Sequence, residues 1–187
     1  MIDGTKVVKF LFYPGVYLNK LFFVFLFLLS LIYLSACSKQ DNIYSIDDYV
    51  EAYFPGQPVL HKRFENDAGK FVFYNYQDDY ENIQYVALYI ILREKPKDNK
   101  SYLYSYVHSA AEGWEGEVLK YELIEHDGND EILYVSETIK NYELVYEFGV
   151  VAIKGNTIFH WAVEERDDMS EADKIFGENV KYFKVLK

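Results

Sequence analysis

The chain has 187 residues, a length that fits one domain and at most two. It carries 19 Lys and Arg against 30 Asp and Glu, and a net charge of −11 excludes a nucleic-acid partner, whose phosphates need a basic face. A single cysteine excludes an intrachain disulfide framework and a Cys-rich zinc site.

The apolar residues are unevenly spread. Leu21 to Leu34 reads LFFVFLFLLSLIYL, with Ser30 its one clearly polar side chain. As a helix this run spans about 21 Å, short of a hydrocarbon core of about 30 Å. Lys6, Lys9 and Lys20 precede it against one acid, Asp3. A positive flank and a short apolar run predict a signal peptide rather than a spanning helix.

Leu34-Ser35-Ala36-Cys37 follows directly. Small side chains at Ser35 and Ala36 leave the backbone open to a peptidase, and a free thiol can become a thioether to a lipid. These residues resemble the bacterial lipoprotein lipobox, Leu-Ser/Ala-Ala/Gly-Cys, at every position. The resemblance implies diacylglyceryl transfer to Cys37, cleavage between Ala36 and Cys37, and acylation of the new amino terminus by a chain such as palmitate. It places the protein in the cell envelope, at the outer membrane or the outer face of the cytoplasmic membrane. Ser38, where an Asp commonly retains lipoproteins at the inner membrane, permits the outer one. Lys39-Gln40-Asp41 is similar in part to the surface-export tether of Bacteroidetes lipoproteins, with Gln40 departing from its acidic pattern. A flexible tether is the plainer reading.

The expected division is therefore a signal peptide over 1–36, a tether over 37–44 and a globular domain over 45–187. Processing leaves 16 basic and 29 acidic side chains, a net charge of −13. Such a domain is repelled by an anionic bilayer surface and stands off on its tether. It keeps 16 Tyr and 8 Phe, which suit a half-buried pleated sheet better than a dedicated carbohydrate or peptide platform.

Along the domain, Val59–Phe64 and Lys70–Gln77 flank Asn66-Asp67-Ala68-Gly69 and predict a hairpin. Ile83–Leu92 is almost wholly apolar and predicts a strand covered on both faces. Glu94 to Lys100 is a charged loop. Leu103, Val107, Ala110, Ala111 and Trp114 then recur on one face of a helix that Gly113 and Gly116 end. Val118–Glu125, Ile132–Glu137, Tyr142–Ile153 and Thr157–Val163 predict four more strands, with a bulge or bend at Gly149 and a two-residue turn at Gly155-Asn156. A closing helix opens at Ser170, with Asp173 completing a near capping box, and carries Ala172, Ile175, Phe176, Val180 and Phe183.

Tyr49 to Pro58 reads YVEAYFPGQP and is similar to the opening of small bacterial lipoproteins with the PsbP-like α/β/α sandwich. The hairpin, helix and four-strand meander follow in the same order. The end, Ile158-Phe159-His160-Trp161 and then Phe176-Gly-Glu-Asn-Val180-Lys-Tyr-Phe183-Lys-Val185, fits as well. Tyr182 stands where the pattern has Ser, and Ser45-x-x-Asp48 reads alternatively as the cap of a short helix. The fold expected is α+β: a single antiparallel sheet of six to seven strands covered by two helices. The resemblance implies binding or assembly modules and no catalytic residue.

Candidate chemistry is sparse. The chain has no G-x-S-x-G, H-E-x-x-H, P-loop or G-x-G-x-x-G. His160 near Glu164 and Glu165 is the one acid–base candidate, although it alternates with apolar residues as a sheet face would. His108 beside the helix face reads as solvated or capping rather than ligating. Asp127, Asn129, Asp130 and Glu131, and also Asp78, Asp79 and Glu81, offer oxygens to Ca²⁺ but lack EF-hand order and read as solvated turns. No metal or cofactor is expected. The expected function is a lipid-anchored, non-catalytic module with an envelope protein as partner. The alternatives are an envelope hydrolase using His160 and Glu164, and an immunity-type lipoprotein binding a basic toxin.

Overall fold

The structure, a computed structural model, describes residues 42–77, 82–166 and 169–186. Ala36, Cys37, Asp78, Asp79 and Glu81 lie outside the described residues, so nothing structural bears on the readings placed there. In chain order the elements are β1 (Ile43–Ile46), β2 (Val50–Tyr53), β3 (Val59–Glu65), β4 (Gly69–Gln77), β5 (Ile83–Leu92) and α1 (Asn99–Glu112). They continue with β6 (Glu117–His126), β7 (Asn129–Lys140), β8 (Glu143–Lys154), β9 (Thr157–Arg166), α2 (Ser170–Asn179), a 3₁₀ turn (Val180–Tyr182) and β10 (Lys184–Val185). Strand β1 begins at Ile43, within the last two residues of the expected tether.

Seven strands form one antiparallel sheet in the order β3-β4-β5-β9-β8-β7-β6. The hairpin and β5 occupy one half, α1 crosses over, and the meander β6 to β9 returns to pair β9 with β5. The central strands β5 and β9 are buried along most of their length, which explains their nearly unbroken apolar sequences. One face packs Tyr85, Tyr89, Phe159, Trp161 and Val163 against α2 and the small sheet. The other packs Leu88, Ile132, Val151 and Ile158 against Leu103 and Val107 of α1. Two helices on opposite faces make the expected α/β/α sandwich. Among the described residues no helix is long and apolar enough to cross a membrane.

A second, three-stranded sheet, β1-β2-β10, was not expected. Its β1–β2 turn holds Asp47 and Asp48 in the left-handed region, at φ 49° and 57°, where the helix cap was the alternative. This geometry aims the Asp47 carboxylate at the main sheet. It accepts hydrogen bonds from the Tyr89 and Tyr74 hydroxyls at 2.8 and 3.0 Å and from Arg63 Nη2 at 3.0 Å.

Three local expectations need correction. Helix α1 starts at Asn99, inside the expected loop, because Asp98 accepts from the Lys100 and Ser101 amides at 3.1 and 3.4 Å. Its buried face is Leu103, Val107 and Ala111; the helix ends before Trp114, which is 55% exposed. The bulges fall at Leu60/Lys62 and Val118/Lys120, whereas pairing runs unbroken through Gly149 on both sides.

The start of α2 is the third. Met169 occupies the cap position without a side-chain hydrogen bond, and Ser170 is already helical. The buried carboxylate of Glu165, on β9, accepts from the Ala172 amide at 2.8 Å instead. A negative charge at a helix N-terminus satisfies an orphan donor and complements the dipole. Glu165→Ala is expected to cost about 1–2 kcal/mol, seen as a lower urea midpoint at unchanged denaturant slope.

Candidate functional site

The α1 face of the sheet is not uniformly dry. Register aligns Gln84, Glu164, Glu147 and Ser136 in one row across β5, β9, β8 and β7. Glu147 and Glu164 thus stand directly opposite each other on neighbouring strands, a repulsive pairing if both are charged. Lys140, at the end of β7, answers both: Nζ donates to Glu164 Oε1 at 2.7 Å and to Glu147 Oε2 at 3.4 Å. All three side chains are largely buried.

The next residues along these strands extend the network. The Tyr134 hydroxyl makes a short hydrogen bond to Glu147 Oε1 and lies 2.6 Å from His160 Nε2. The Tyr106 hydroxyl, from α1, lies 3.3 Å from His160 Nδ1. Burial, and then the Glu147 charge, push the Tyr134 phenol well above its ordinary value, so its proton stays and is donated to Glu147. His160 Nε2–H must then donate to the Tyr134 oxygen, and Nδ1 accepts from Tyr106. Every proton in the chain Tyr106, His160, Tyr134, Glu147 has one direction.

Burial holds the His160 ring below its ordinary value and so neutral. Burial alone would raise Glu147, but the Lys140 ammonium, His160 and the hydrogen bonds from Glu164 and Tyr134 outweigh it and depress the carboxyl. Glu164 is raised, by burial and by the Glu147 charge, and keeps a proton that it shares with Glu147. The two carboxyls behave as one coupled pair.

Gly149 explains how Tyr134 reaches across. A Cβ built on Gly149 would lie 2.5 Å from the Tyr134 ring. The glycine is therefore a floor for an aromatic ring, not a bend. Its neighbour across the β8–β9 pair is Ala162, also small. The same face of the sheet holds a cavity of about 270 Å³, walled by Phe73, Val86, Leu88, Ala110 and Ala111 and floored by the polar row. Lys140 Nζ sits 5.6 Å from the centroid of the Trp114 ring at its margin.

His160 and Glu164 are brought into this one cavity, as the sequence pairing anticipated, but both ring nitrogens are engaged by tyrosines and Glu164 by Lys140. His61 lines the same cavity from the exposed strand β3. The His108 ring lies 4.1 Å from the Tyr104 ring centroid, with Tyr121 beyond. The acidic turn does not converge: Asp130 accepts from Asn99 Nδ2 at 3.0 Å, and Glu131 lies 3.5 Å from His126. Among the described residues no group of three His, Cys, Asp or Glu side chains is placed to hold a metal ion. Lys140, Glu147, Tyr134 and Tyr106 escaped the sequence reading. The one available signal was the polar period-two run Ser136, Thr138, Lys140 on a buried strand.

Raising Glu164 has a stability consequence. Its protonated form is favoured in the folded state, so that contribution is complete below the ordinary carboxylate range. It is lost as pH rises through neutrality, because the unfolded chain then binds fewer protons than the folded one. Urea midpoints are expected to fall across that window, by at most about 1.4 kcal/mol per pH unit, and Glu164→Gln is expected to flatten the decline. Gly149→Ala is expected to cost about 1–3 kcal/mol by overpacking against Tyr134, read by the same denaturation.

No family model and no curated protein matches this chain. Among solved structures, the cyanobacterial PsbP (CyanoP) of Synechocystis sp. PCC 6803 is similar in fold, with a TM-score of 0.55 at 14% identity. The match covers 76% of this chain and 91% of CyanoP. A protein of unknown function from Pseudomonas aeruginosa aligns over 73% of this chain and 90% of its own, at 9% identity and a TM-score of 0.43. Sheet order, helices on both faces and the CyanoP match together establish that this chain has the PsbP-like α+β fold.

Proposed function

We propose that this chain is a lipid-anchored protein of the bacterial cell envelope whose folded module binds rather than catalyses. The cavity under α1 supports the binding half. The His160 imidazole and the Lys140 ammonium are both committed to partners inside the network, so this part of the polar floor is a fixed surface rather than a pair of free reacting groups. A preorganised polar floor under apolar walls is the usual form of a small binding site. The lipobox residues Leu34-Ser35-Ala36-Cys37 support the anchor. Several acyl chains, at about 0.8 kcal/mol per buried CH₂, hold a module at the membrane whatever its own surface charge. Tethering raises the effective concentration of an envelope partner.

Cys37→Ser tests the anchor. The unaltered chain is expected in the membrane fraction, with an acylated peptide beginning at Cys37 in mass spectra. The variant is expected to lose that peptide and to keep its leader. A Cys37→Ser chain that still sediments with membranes at the processed size would falsify the anchor.

One observation keeps the hydrolase reading in play: His160 and Glu164 do line the same cavity. His160→Ala separates the two. A binding module is expected to lose about 1–3 kcal/mol of stability, because buried tyrosine hydroxyls are left without a partner, and to show no hydrolytic activity before or after. A turnover present in the unaltered chain and abolished in a folded His160→Ala variant decides for the enzyme.

A further inference from the structure

The β7–β8 hairpin projects past its neighbours. Lys140 pairs with Glu143 at its tip, two residues beyond the pairing of Val145 with Arg166, where β9 ends, and the Asn141-Tyr142 turn closes it. Its outermost side chains are apolar. Ile139 and Leu144 are paired in register and exposed, and Tyr142 is fully exposed at the turn. Trp114, also exposed, is joined to the hairpin where its carbonyl accepts from the Ile139 amide. Scattered exposed apolar side chains need no explanation, but four gathered on one projection do. The turn adds a second observation. Asn141 and Tyr142 hold φ of 55° and 69°, the left-handed pair of a type I′ turn, in which glycine is the favoured second residue. Tyrosine is strained there and, being fully exposed, buries nothing to offset the strain.

The chain enters the domain on the side from which this tip projects. The Asn42 carbonyl accepts from the Phe54 amide at 2.8 Å, and the Phe54 and Tyr85 ring centroids lie 6.5 Å apart. From there β1 runs away from the tip, and its turn into β2 brings Tyr49 onto Tyr89, four residues farther along β5. Register carries the Tyr85 row through Val163 to Phe148. Six residues separate Phe148 from Tyr142, so the tip lies about 20 Å beyond the entry level. The five-residue step from Cys37 to Asn42 spans at most about 18 Å. A lipid on Cys37 therefore cannot hold the tip clear of a bilayer while the strands stand upright. Charge selects the kind of bilayer. At the tip Glu143 is paired with Arg166 at 2.8 Å and Lys140 with the buried carboxyls. Glu115, Glu117 and Glu137 form an acidic collar behind Ile139 and Leu144.

We propose that the β7–β8 tip and Trp114 seat in the zwitterionic headgroup layer of the membrane that carries the anchor. The inference rests on the anchor reading of this chain and not on the cavity. Net charge makes the domain as a whole stand off an anionic surface, whereas the tip is a local apolar foot bearing Trp and Tyr, the residues that settle at membrane interfaces. Interfacial elements bury their apolar side chains about 5–10 Å deep, a depth that takes in Tyr142, Ile139 and Leu144 and stops at the acidic collar. Seating makes the short tether a fixed mount. The strands stand upright on the bilayer, and the opposite end of the sheet, with the β6–β7 and β8–β9 turns, faces the envelope partner.

The test is tryptophan fluorescence of the processed full chain in phosphatidylcholine vesicles, plain or brominated on the acyl chain near the headgroup. Trp161 is fully buried, so Trp114 reports the tip. Brominated lipid is expected to quench the emission, and Trp114→Phe to abolish the quenching; quenching that survives this variant overturns the seating. Ile139→Ser with Leu144→Ser is expected to lower the ratio of seated to free tip about tenfold or more. Leu123→Ser, at an exposed apolar residue of β6 far from the tip, is expected to change nothing. Tyr142→Gly is expected to weaken the quenching while raising the urea midpoint, because glycine relieves the turn; a lower midpoint assigns Tyr142 to folding and overturns its part in the seating. Vesicles rich in phosphatidylglycerol are expected to quench less at low salt, and equal or stronger quenching there overturns the zwitterionic assignment. A chain that does not float with vesicles overturns the anchor and the seating with it. A chain that floats with Trp114 unquenched leaves the anchor standing, overturns the seating and gives the tip to a protein partner.

Discussion

Two carboxyls that face each other across adjacent strands set the terms for the whole α1 side of this protein. Cβ atoms in such a position lie about 5 Å apart. At an effective dielectric near 20, two charges at that distance repel by roughly 3 kcal/mol. The Glu147–Glu164 pair answers this in three ways at once. A proton is retained between them, Lys140 bridges them, and Tyr134 donates to the carboxyl that stays ionised. No one of these suffices, since removing a single partner from a buried ion pair leaves an uncompensated charge costing about 3–5 kcal/mol. The network binds β7, β8, β9 and α1 through polar contacts at a place where apolar packing would ordinarily do so.

Space follows from charge. Tyr134 can reach both Glu147 and His160 only by lying over β8, and only glycine at 149 leaves room for its ring. Ala162 beside it keeps the adjoining strand low. The cavity lies beside this stack on the same face of the sheet, and its floor carries the polar pattern of the imidazole and the carboxyl pair.

Much of the sheet was legible because strands announce themselves by period two, and hairpin turns by Asn, Asp and Gly. Ile83–Leu92 reads as a central strand from its lack of alternation alone, and occupies that place. What escaped is non-local. The two-residue strand Lys184–Val185 pairs because β2 offers it an edge, a partner that no local pattern names. The cap of α2 comes from Glu165 on a preceding strand, so Ser170 and Asp173 drew attention to the wrong oxygen. His160 and Glu164 were visible as a same-face pair, four residues apart on one strand. Their partners arrive from β7, β8 and α1, each looking unremarkable where it stands: Lys140 beside a turn, Glu147 inside an apolar strand, Tyr106 on a Tyr-rich helix.

The clearest failure of periodicity falls at the site itself. Helical spacing puts Trp114 on the same face as Leu103, Val107 and Ala111, where a ring of that size would occupy the space beneath the end of α1. The helix stops instead at Glu112, and Glu115 adopts a φ of 56°. Gly116 then passes so close to β7 that a Cβ would lie 2.0 Å from the Glu137 carbonyl oxygen. The Trp114 carbonyl accepts from the Ile139 amide at 3.0 Å, which fixes the turn to the end of β7. Locked this way, the indole stands at the margin beside Lys140, and only Ala110 and Ala111 roof the cavity. Completing the amphipathic stripe would have filled the core there. Breaking it one turn early forgoes that burial and leaves an opening directly over the carboxyl pair, so the departure from the helical pattern and the existence of the site have one cause.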